Sequence, residues 1–211
     1  MKRCVILCGG DIICYEAASA RIKPGDFILC ADSGYRHCAP LRIKPDLLVG
    51  DFDSIGDMPE DVEILRYQTE KDYTDTALAA EWATLRGYSS ILFMGATGGA
   101  RIEHSLANIQ TAAACATTCE VSLYDGYSDI KVIHTKTPIN YTITSQEGYY
   151  FSLLAVSEQC EDVTITGGKY PLNNYTLRYN EARAISNEFC GKSVNISFAR
   201  GTLLVVVTPM K

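Results

Sequence analysis

The sequence predicts an α/β protein built as a largely parallel sheet with helices, followed by an all-β domain. Three observations carry this. Up to Asp125, short apolar runs alternate with segments of helical spacing. Beyond it there is no convincing amphipathic helix, only short β-rich runs parted by turn residues. And in the first half the apolar runs end in an acid or a glycine, as strands do where a chain leaves a sheet near a ligand.

The elements follow in order. RCVILC (3–8) reads as a buried strand, and Gly9-Gly10-Asp11 after it lets backbone approach a ligand closely. Ile12 to Ala20 is the expected following helix. Phe27 to Ala31 is the second strand and ends in Asp32-Ser33-Gly34. KPDLLVGDFDSIGD (44–57) holds a third strand at 47–50, with Asp51 and Asp53 at its carboxyl end. Val62 to Tyr67 is a fourth. The polar cluster 69–75 then starts a helix that Asp72 or Thr74 can cap, with Ala77, Leu78, Glu81, Trp82 and Leu85 at helical spacing and Gly87 as its stop. Ile91 to Met94 is a strand, Gly95 to Gly99 a glycine-rich loop, and 103–116 a helix with Leu106, Ile109 and Ala113 on one face. Val121 to Tyr124 closes this half, a Rossmann-like parallel-sheet domain. In the second half, 130–134, 141–144, 149–156, 163–166, 193–198 and 203–208 read as strands of an antiparallel sandwich or barrel, with the boundary at 125–130.

Composition narrows the function classes. The chain has 211 residues, 47% of them hydrophobic, enough for a real core. The apolar run near the amino terminus stops at Gly9, too short for a signal-peptide core, and no run is long enough to span a bilayer. A net charge of −6 argues against a nucleic-acid or anionic-membrane surface. The nine cysteines are odd in number and sit mostly in apolar runs, which suggests free thiols in a reducing cytoplasm.

Asp32, then Asp51 and Asp53, then Asp72 and Asp75 follow three consecutive strands or loops. In a parallel sheet these ends share one edge. Carboxylates gathered this way repel unless a cation neutralises them, and Mg²⁺ typically takes one or two carboxylates together with substrate phosphates. Lys71 and Arg101 offer cationic contacts to polyphosphate, and the backbone N–H groups of Gly95 to Gly99 can meet phosphate oxygens. The loop is not a Walker A loop. His104 and Asn108 share a helix face. His104 either supports the loop or touches the ligand, whereas His37 and His134 lack a constellation and read as structural. In the second half, Tyr170 beside Pro171 can stack on a flat heteroaromatic ring, with Ser186 and Asn187 bonding its edge, although tyrosines of β domains more often fill core or surface.

These motifs, taken together and in this order, resemble the thiamine pyrophosphokinase (thiamin diphosphokinase) family. The matching pieces are Ala31 to Gly34, Pro45 to Ile55, Lys71 to Leu78, Gly95 to Asn108, Gly168 to Leu172 and Ser186 to Glu188. The resemblance implies an α/β catalytic ATP-binding domain (1–126) and a β-sandwich thiamine-binding and dimerisation domain (127–211), in a cytoplasmic homodimer with sites between subunits. It implies Mg²⁺-dependent transfer of pyrophosphate from ATP to the thiamine hydroxyl, giving thiamine diphosphate and AMP. Asp32, Asp51, Asp53 and Asp75 would hold the metal, with Asp51, Asp53 and Asp75 in the chemistry. Lys71, Thr74, Arg101 and His104 would meet ATP, and Tyr170, Ser186 and Asn187 thiamine. Whether Asp75 is a base or a metal ligand stays open. One departure stands out. The family's G-G-R-x-D-H loop is here Gly98-Gly99-Ala100-Arg101-Ile102-Glu103-His104, with one residue more after the glycines and Glu103 for the usual aspartate.

Two other readings compete on the residues alone. Asp51-Phe52-Asp53 after a strand is similar to the nucleophile motif of aspartate phosphatases, but Ile55 stands where a threonine is expected. A non-enzymatic vitamin- or nucleotide-binding module is the second, and five clustered acids suit metal-dependent chemistry better than binding a cationic vitamin.

Overall fold

The computed structural model describes residues 2–51, 61–67 and 72–210. The chain is mixed α/β and divides into two compact units, 1–127 and 128–211.

The first unit is a six-stranded parallel sheet in the order β6-β5-β1-β2-β3-β4. Its strands are β1 (Arg3–Leu7), β2 (Phe27–Ala31), β3 (Leu47–Gly50), β4 (Glu63–Arg66), β5 (Ser90–Met94) and β6 (Glu120–Tyr124). β1, β2, β3 and β5 are buried almost end to end, as strands covered on both faces must be. One face puts Val5, Leu7, Ile28, Cys30, Leu48 and Leu92 against α1 (Tyr15–Ser19) and α2 (Cys38–Leu41), through Ala18, Cys38 and Leu41. α3 (Asp75–Leu85) packs against β1, β2 and β3, and α4 (Ile102–Cys115) against α3 and β6.

Each helix start has a physical cause. Thr74 caps α3: its Oγ1 accepts a hydrogen bond from the Ala77 N–H at 3.2 Å, satisfying one of the first-turn donors that has no partner within the helix. Asp75 follows in the first turn, where a carboxylate meets the positive end of the helix dipole. The helix expected at 12–20 is only one turn, because Ile13 N–H instead donates to Asp125 O at 2.7 Å, tying this segment to the end of β6. Neither the 3₁₀ turn at Asp32–His37 nor α2 is visible in the sequence pattern. Both are too short to show a period.

The second unit is antiparallel. β7 (Asp129–Thr135), β9 (Tyr149–Ala155), β12 (Asn187–Glu188) and β14 (Gly201–Pro209) pair in the order β12-β9-β14-β7. β8 (Ile139–Thr144), β10 (Gln159–Thr166), β11 (Leu172–Arg178) and β13 (Ser193–Phe198) pair as β11-β10-β13-β8. Both sets feed one core: Phe151, Leu153, Leu203 and Val205 from the first meet Val163, Ile165, Ile196 and Phe198 from the second. β11 falls where the sequence reads as loop. Its pairing with β10 carries two register shifts, and Asn174 adopts a left-handed conformation, so the two-residue alternation that would reveal a strand is broken.

Candidate active site

The parallel sheet runs in both directions from β1: β2, β3 and β4 lie to one side, β5 and β6 to the other. Where the order reverses, the loops after β1 and β5 leave the sheet in opposite directions and open a crevice at the carboxyl ends of the strands, the usual ligand position of such sheets. A cleft of about 320 Å³ lies there. Gly9, Gly10 and Asp11 line it from β1, Asp32, Ser33 and Arg36 from β2, and Thr74 and Asp75 from the start of α3. The glycine-rich loop after β5 and the first turns of α4 close it, with Gly98, Gly99, Arg101, His104 and Asn108.

Two glycines make this arrangement possible. Gly10 packs onto the β5 loop: a Cβ there would stand 2.5 Å from Gly95 O and 2.9 Å from Thr97 O. Its own N–H donates to Gly95 O at 2.7 Å, so backbone holds the two loops together. Gly50 sits between acids. A Cβ on it would lie 3.2 Å from Asp32 Cα and Cβ and 3.3 Å from Asp75 Oδ1. Asp32 and Asp75, 43 positions apart in the chain, thus meet over the last residue of β3, and Asp51 follows directly. Asp32 takes a left-handed backbone (φ 44°), a conformation that aspartate tolerates better than most residues and that recurs at functional sites.

His37 fixes the turn that carries Asp32 and Arg36. It is buried, and its Nε2–H donates to Gly10 O at 2.9 Å while Nδ1 accepts from Tyr15 OH at 2.7 Å. A carbonyl can only accept, so the neutral tautomer with the proton on Nε2 is the one that satisfies both bonds. Burial pushes its pKa below the ordinary 6.5. His37 is structural, as the sequence suggests. Arg36 also reaches Gly10 O (Nη2, 2.8 Å) and Asp11 Oδ1 (3.4 Å), with its guanidinium half exposed to the cleft.

Arg101 is the residue before α4, and its Nε donates to Glu103 Oε1 at 2.8 Å. This cation holds the Glu103 carboxyl below the usual carboxylate range. The glutamate that replaces the family's aspartate is therefore engaged with the arginine of its own loop. Asn108 is buried and ties α4 to the loop by donating from Nδ2 to Ala96 O at 2.8 Å.

The structure thus brings Asp32 and Asp75 together beside Gly50, with Asp51 the next residue in the chain, and places Thr74, Arg101 and His104 on the cleft wall. Asp53 and Lys71 lie outside the described residues. Asp11, Ser33 and Arg36 are cleft residues that the sequence did not single out as site residues. The signal available was the glycine turn before Asp11 and the acid-glycine end of β2, but only the 3₁₀ turn swings Arg36 back towards the β1 loop. Among the described residues no group of three acid, histidine or cysteine side chains is arranged to hold a metal ion by itself. Mg²⁺ needs only one or two carboxylates when phosphates complete its shell, and the Asp32–Gly50–Asp75 junction, narrow enough for a methyl group to crowd it, fits that demand.

In the second unit, Tyr170 presents a ring that is 57% exposed. Asn187 lies beneath it, 1% exposed, and clamps the loop: Oδ1 accepts from Tyr170 N–H at 2.9 Å and Nδ2 donates to Tyr170 O at 2.7 Å. Lys169 Nζ pairs with Glu188 Oε1 at 2.8 Å. Ser186 is exposed, with a left-handed backbone (φ 53°) and its N–H on Ser152 Oγ. Asn187 has its carboxamide committed to backbone, while Tyr170 and Ser186 are exposed, with Lys169 Nζ 5.7 Å from the centre of the Tyr170 ring.

Comparison with known proteins finds matches to both units. Residues 19–123 match the family model "Thiamin pyrophosphokinase, catalytic domain", and 136–203 match "Thiamin pyrophosphokinase, vitamin B1 binding domain". A thiamine pyrophosphokinase of Bacillus subtilis is 36% identical over 172 residues, covering 78% of each chain. A crystal structure of thiamine pyrophosphokinase from Bacillus subtilis superposes with a TM-score of 0.85 at 28% identity over all of both chains. One from Geobacillus thermodenitrificans gives 0.80 at 26%, covering 99% of this chain and 97% of the other. With catalytic and vitamin-binding matches in the same order as the two units, and a relative of that identity over most of its length, the chain belongs to the thiamin pyrophosphokinase family.

Proposed function

We propose that the cleft at the carboxyl ends of β1, β2, β3 and β5 binds Mg²⁺–ATP and is where this chain carries out its family's reaction, transfer of a pyrophosphoryl group from ATP to the hydroxyl of thiamine with release of AMP. The first unit is then a Rossmann-like nucleotide-binding domain, and the second a β-sandwich that binds thiamine and dimerises. The observation that carries the reading is the meeting of Asp32 and Asp75 over Gly50, with Asp51 next in line.

Asp32, Asp51 and Asp75 would hold Mg²⁺, joined by Asp53. Once bound, the ion neutralises the triphosphate and the charge that builds on it during transfer. The chain's own residues do the rest. Backbone N–H groups of the β1 and β5 loops, with Arg36, Arg101 and Lys71, supply the positive lining that polyphosphate needs. Thr74 and His104, on the cleft wall, contact ATP, and Thr74 also caps α3. The thiamine hydroxyl attacks the β-phosphorus and AMP leaves, so catalysis is mainly alignment and electrostatics. Asp75, at the acid junction, orients the hydroxyl or accepts its proton. Tyr170 offers a ring face to the cationic thiazolium, an attraction of about 0.5–2 kcal/mol. Ser186 bonds to the vitamin's polar edge, and Asn187 acts by positioning Tyr170.

The two other readings weaken accordingly: an aspartate phosphatase would need neither nucleotide nor vitamin domain, and a pure binding module would not need the acid junction. No helix among the described residues is long and apolar enough to cross a membrane. The nine cysteines stand as free thiols, which supports a reducing cytoplasmic setting.

The test is a reaction with ATP, Mg²⁺ and thiamine, followed by chromatography. AMP and thiamine diphosphate should appear in equal amounts. ADP with thiamine monophosphate, or phosphate release without thiamine, would overturn the reading. Light scattering should give twice the 23.1 kDa of one chain, and a monomer would refute the homodimer.

A further inference from the structure

Cys30 and Cys38 bracket the turn that carries Asp32 and Arg36, and their sulfurs are 3.4 Å apart. Cys30 is the fourth residue of β2 and fully buried, while Cys38 opens α2 and is 5% exposed. Between them run Asp32, Ser33, Arg36 and His37, the segment that forms one wall of the nucleotide cleft. Cys38 also lines a second cleft of about 390 Å³, on which Arg36 and Lys44 present cationic side chains. Arg36 lines both clefts. We propose that Cys30 and Cys38 are a peroxide-oxidisable dithiol, whose disulfide draws the ends of the Asp32–His37 turn together and disables the nucleotide cleft.

The contact makes the two thiols unequal. The hydrogen bond between the two sulfurs holds the Cys38 pKa below the ordinary cysteine range although burial opposes it. Cys38 is taken as the attacking thiol because, of the two, it alone lines a cleft, where Arg36 and Lys44 are the cations and Asp61 the acid. Its thiolate attacks one oxygen of hydrogen peroxide. The O–O bond breaks, hydroxide leaves and takes up a proton, and Cys38 becomes a sulfenic acid. The Cys30 sulfur then attacks the Cys38 sulfur, and the sulfenic oxygen leaves as water with the Cys30 proton. In sum, two thiols and one peroxide give one disulfide and two waters, and a dithiol reductant reverses it.

A disulfide is about 2.05 Å long, so the sulfurs must close by roughly 1.4 Å. That pull falls on both ends of a turn whose Asp32 already holds a left-handed backbone and whose Arg36 and His37 bond to Gly10 O. Displacements of about 1 Å in a positioning segment cost on the order of 10²-fold in rate. The loss of activity assumes that the cleft is the ATP site, whereas the disulfide itself does not.

The test uses the full chain. Trypsin cuts after Arg36 and so separates the peptide 22–36, which holds Cys30, from 37–42, which holds Cys38. After peroxide treatment and blocking of free thiols, mass spectrometry without reductant should find these two peptides linked. Pyrophosphoryl transfer should fall at least tenfold and recover with dithiothreitol. The loss should persist in a Cys14→Ser/Cys190→Ser protein, which lacks the exposed thiols, and vanish in Cys30→Ala relative to that variant's untreated rate. If Cys14 and Cys190 are oxidised while 22–36 and 37–42 stay unlinked, the dithiol is refuted. Linked peptides with activity within twofold of the untreated enzyme would refute its control of the cleft. A chain inactive before treatment would refute the functional reading instead, and the peptide map would still decide the disulfide.

Discussion

Gly10→Ala is the sharpest probe of the cleft, because its cost follows from distances. The added methyl would start 2.5 Å from Gly95 O and 2.9 Å from Thr97 O. A carbon approaches a carbonyl oxygen no closer than about 3.3 Å in ordinary contact. The β1 and β5 loops must therefore part by about 0.8 Å. Parting them stretches the 2.7 Å bond from Gly10 N–H to Gly95 O, and it moves the carbonyl on which Arg36 and His37 converge. Overpacking of this kind costs about 1–3 kcal/mol of stability, which for a chain of this size lowers Tm by roughly 2–12 °C. If the two loops bind phosphate as proposed, their shift should cost up to about 10²-fold in kcat/KM for ATP, near 2.7 kcal/mol of transition-state stabilisation. The assay is AMP release at 25 °C, well below the melting transition, with circular dichroism to confirm folding. Gly87→Ala is the control. Unlike Gly10 it has a left-handed backbone (φ 72°), and a Cβ there meets nothing within 4 Å, so it should lose stability without losing activity. A folded Gly10→Ala protein within twofold of the parent kcat/KM would refute the claim that the two loops form the phosphate site.

Other outcomes follow from the same geometry. Asp51→Asn and Asp75→Asn should each lower kcat by at least 10²-fold with little change in Tm, read in the AMP assay over a Mg²⁺ titration; full activity in either would remove that residue from the centre. Thr74→Ala loses the cap of α3 and should cost about 1 kcal/mol, seen as a fall of a few degrees in Tm. His37 has its pKa lowered by burial, so the unfolded chain binds the proton more readily than the folded one. Its contribution is therefore intact above the ordinary 6.5 and is lost as pH falls from there towards the folded value. His37→Gln should flatten the stability slope in that window, and an unchanged slope in urea titrations would count against it. Asn187→Ala frees the Tyr170 backbone and should raise the thiamine KM more than it lowers kcat, whereas equal effects on both would argue for a role in the chemistry.

Much of the cleft was legible because parallel strands leave a strong trace. Buried on both faces, they appear as unbroken apolar runs, and the residue after each run lies on the ligand edge. Asp32 and Asp51 could be placed from that alone, and Thr74 and Asp75 from their position at the start of a helical pattern. Arg36 could not, because a single 3₁₀ turn has no period and only its contact with Gly10 O shows which way it faces. β11 was hidden by a bulged register, and the clamp of Asn187 on Tyr170 by a separation of 17 residues bridged only in space.

The sequence by itself determined the alternation of strands and helices in the first half, the change to an all-β second half, the acids at strand ends and the family. Those are local properties, set by apolar spacing and by turn residues that act within a few positions. Only the tertiary structure decided that Asp32 and Asp75 meet over Gly50, that His37 and Arg36 share one carbonyl, and that two of nine cysteines lie in sulfur contact. These depend on which strands become neighbours and how closely their loops approach, and sheet order and side-chain contact arise from packing across the whole chain.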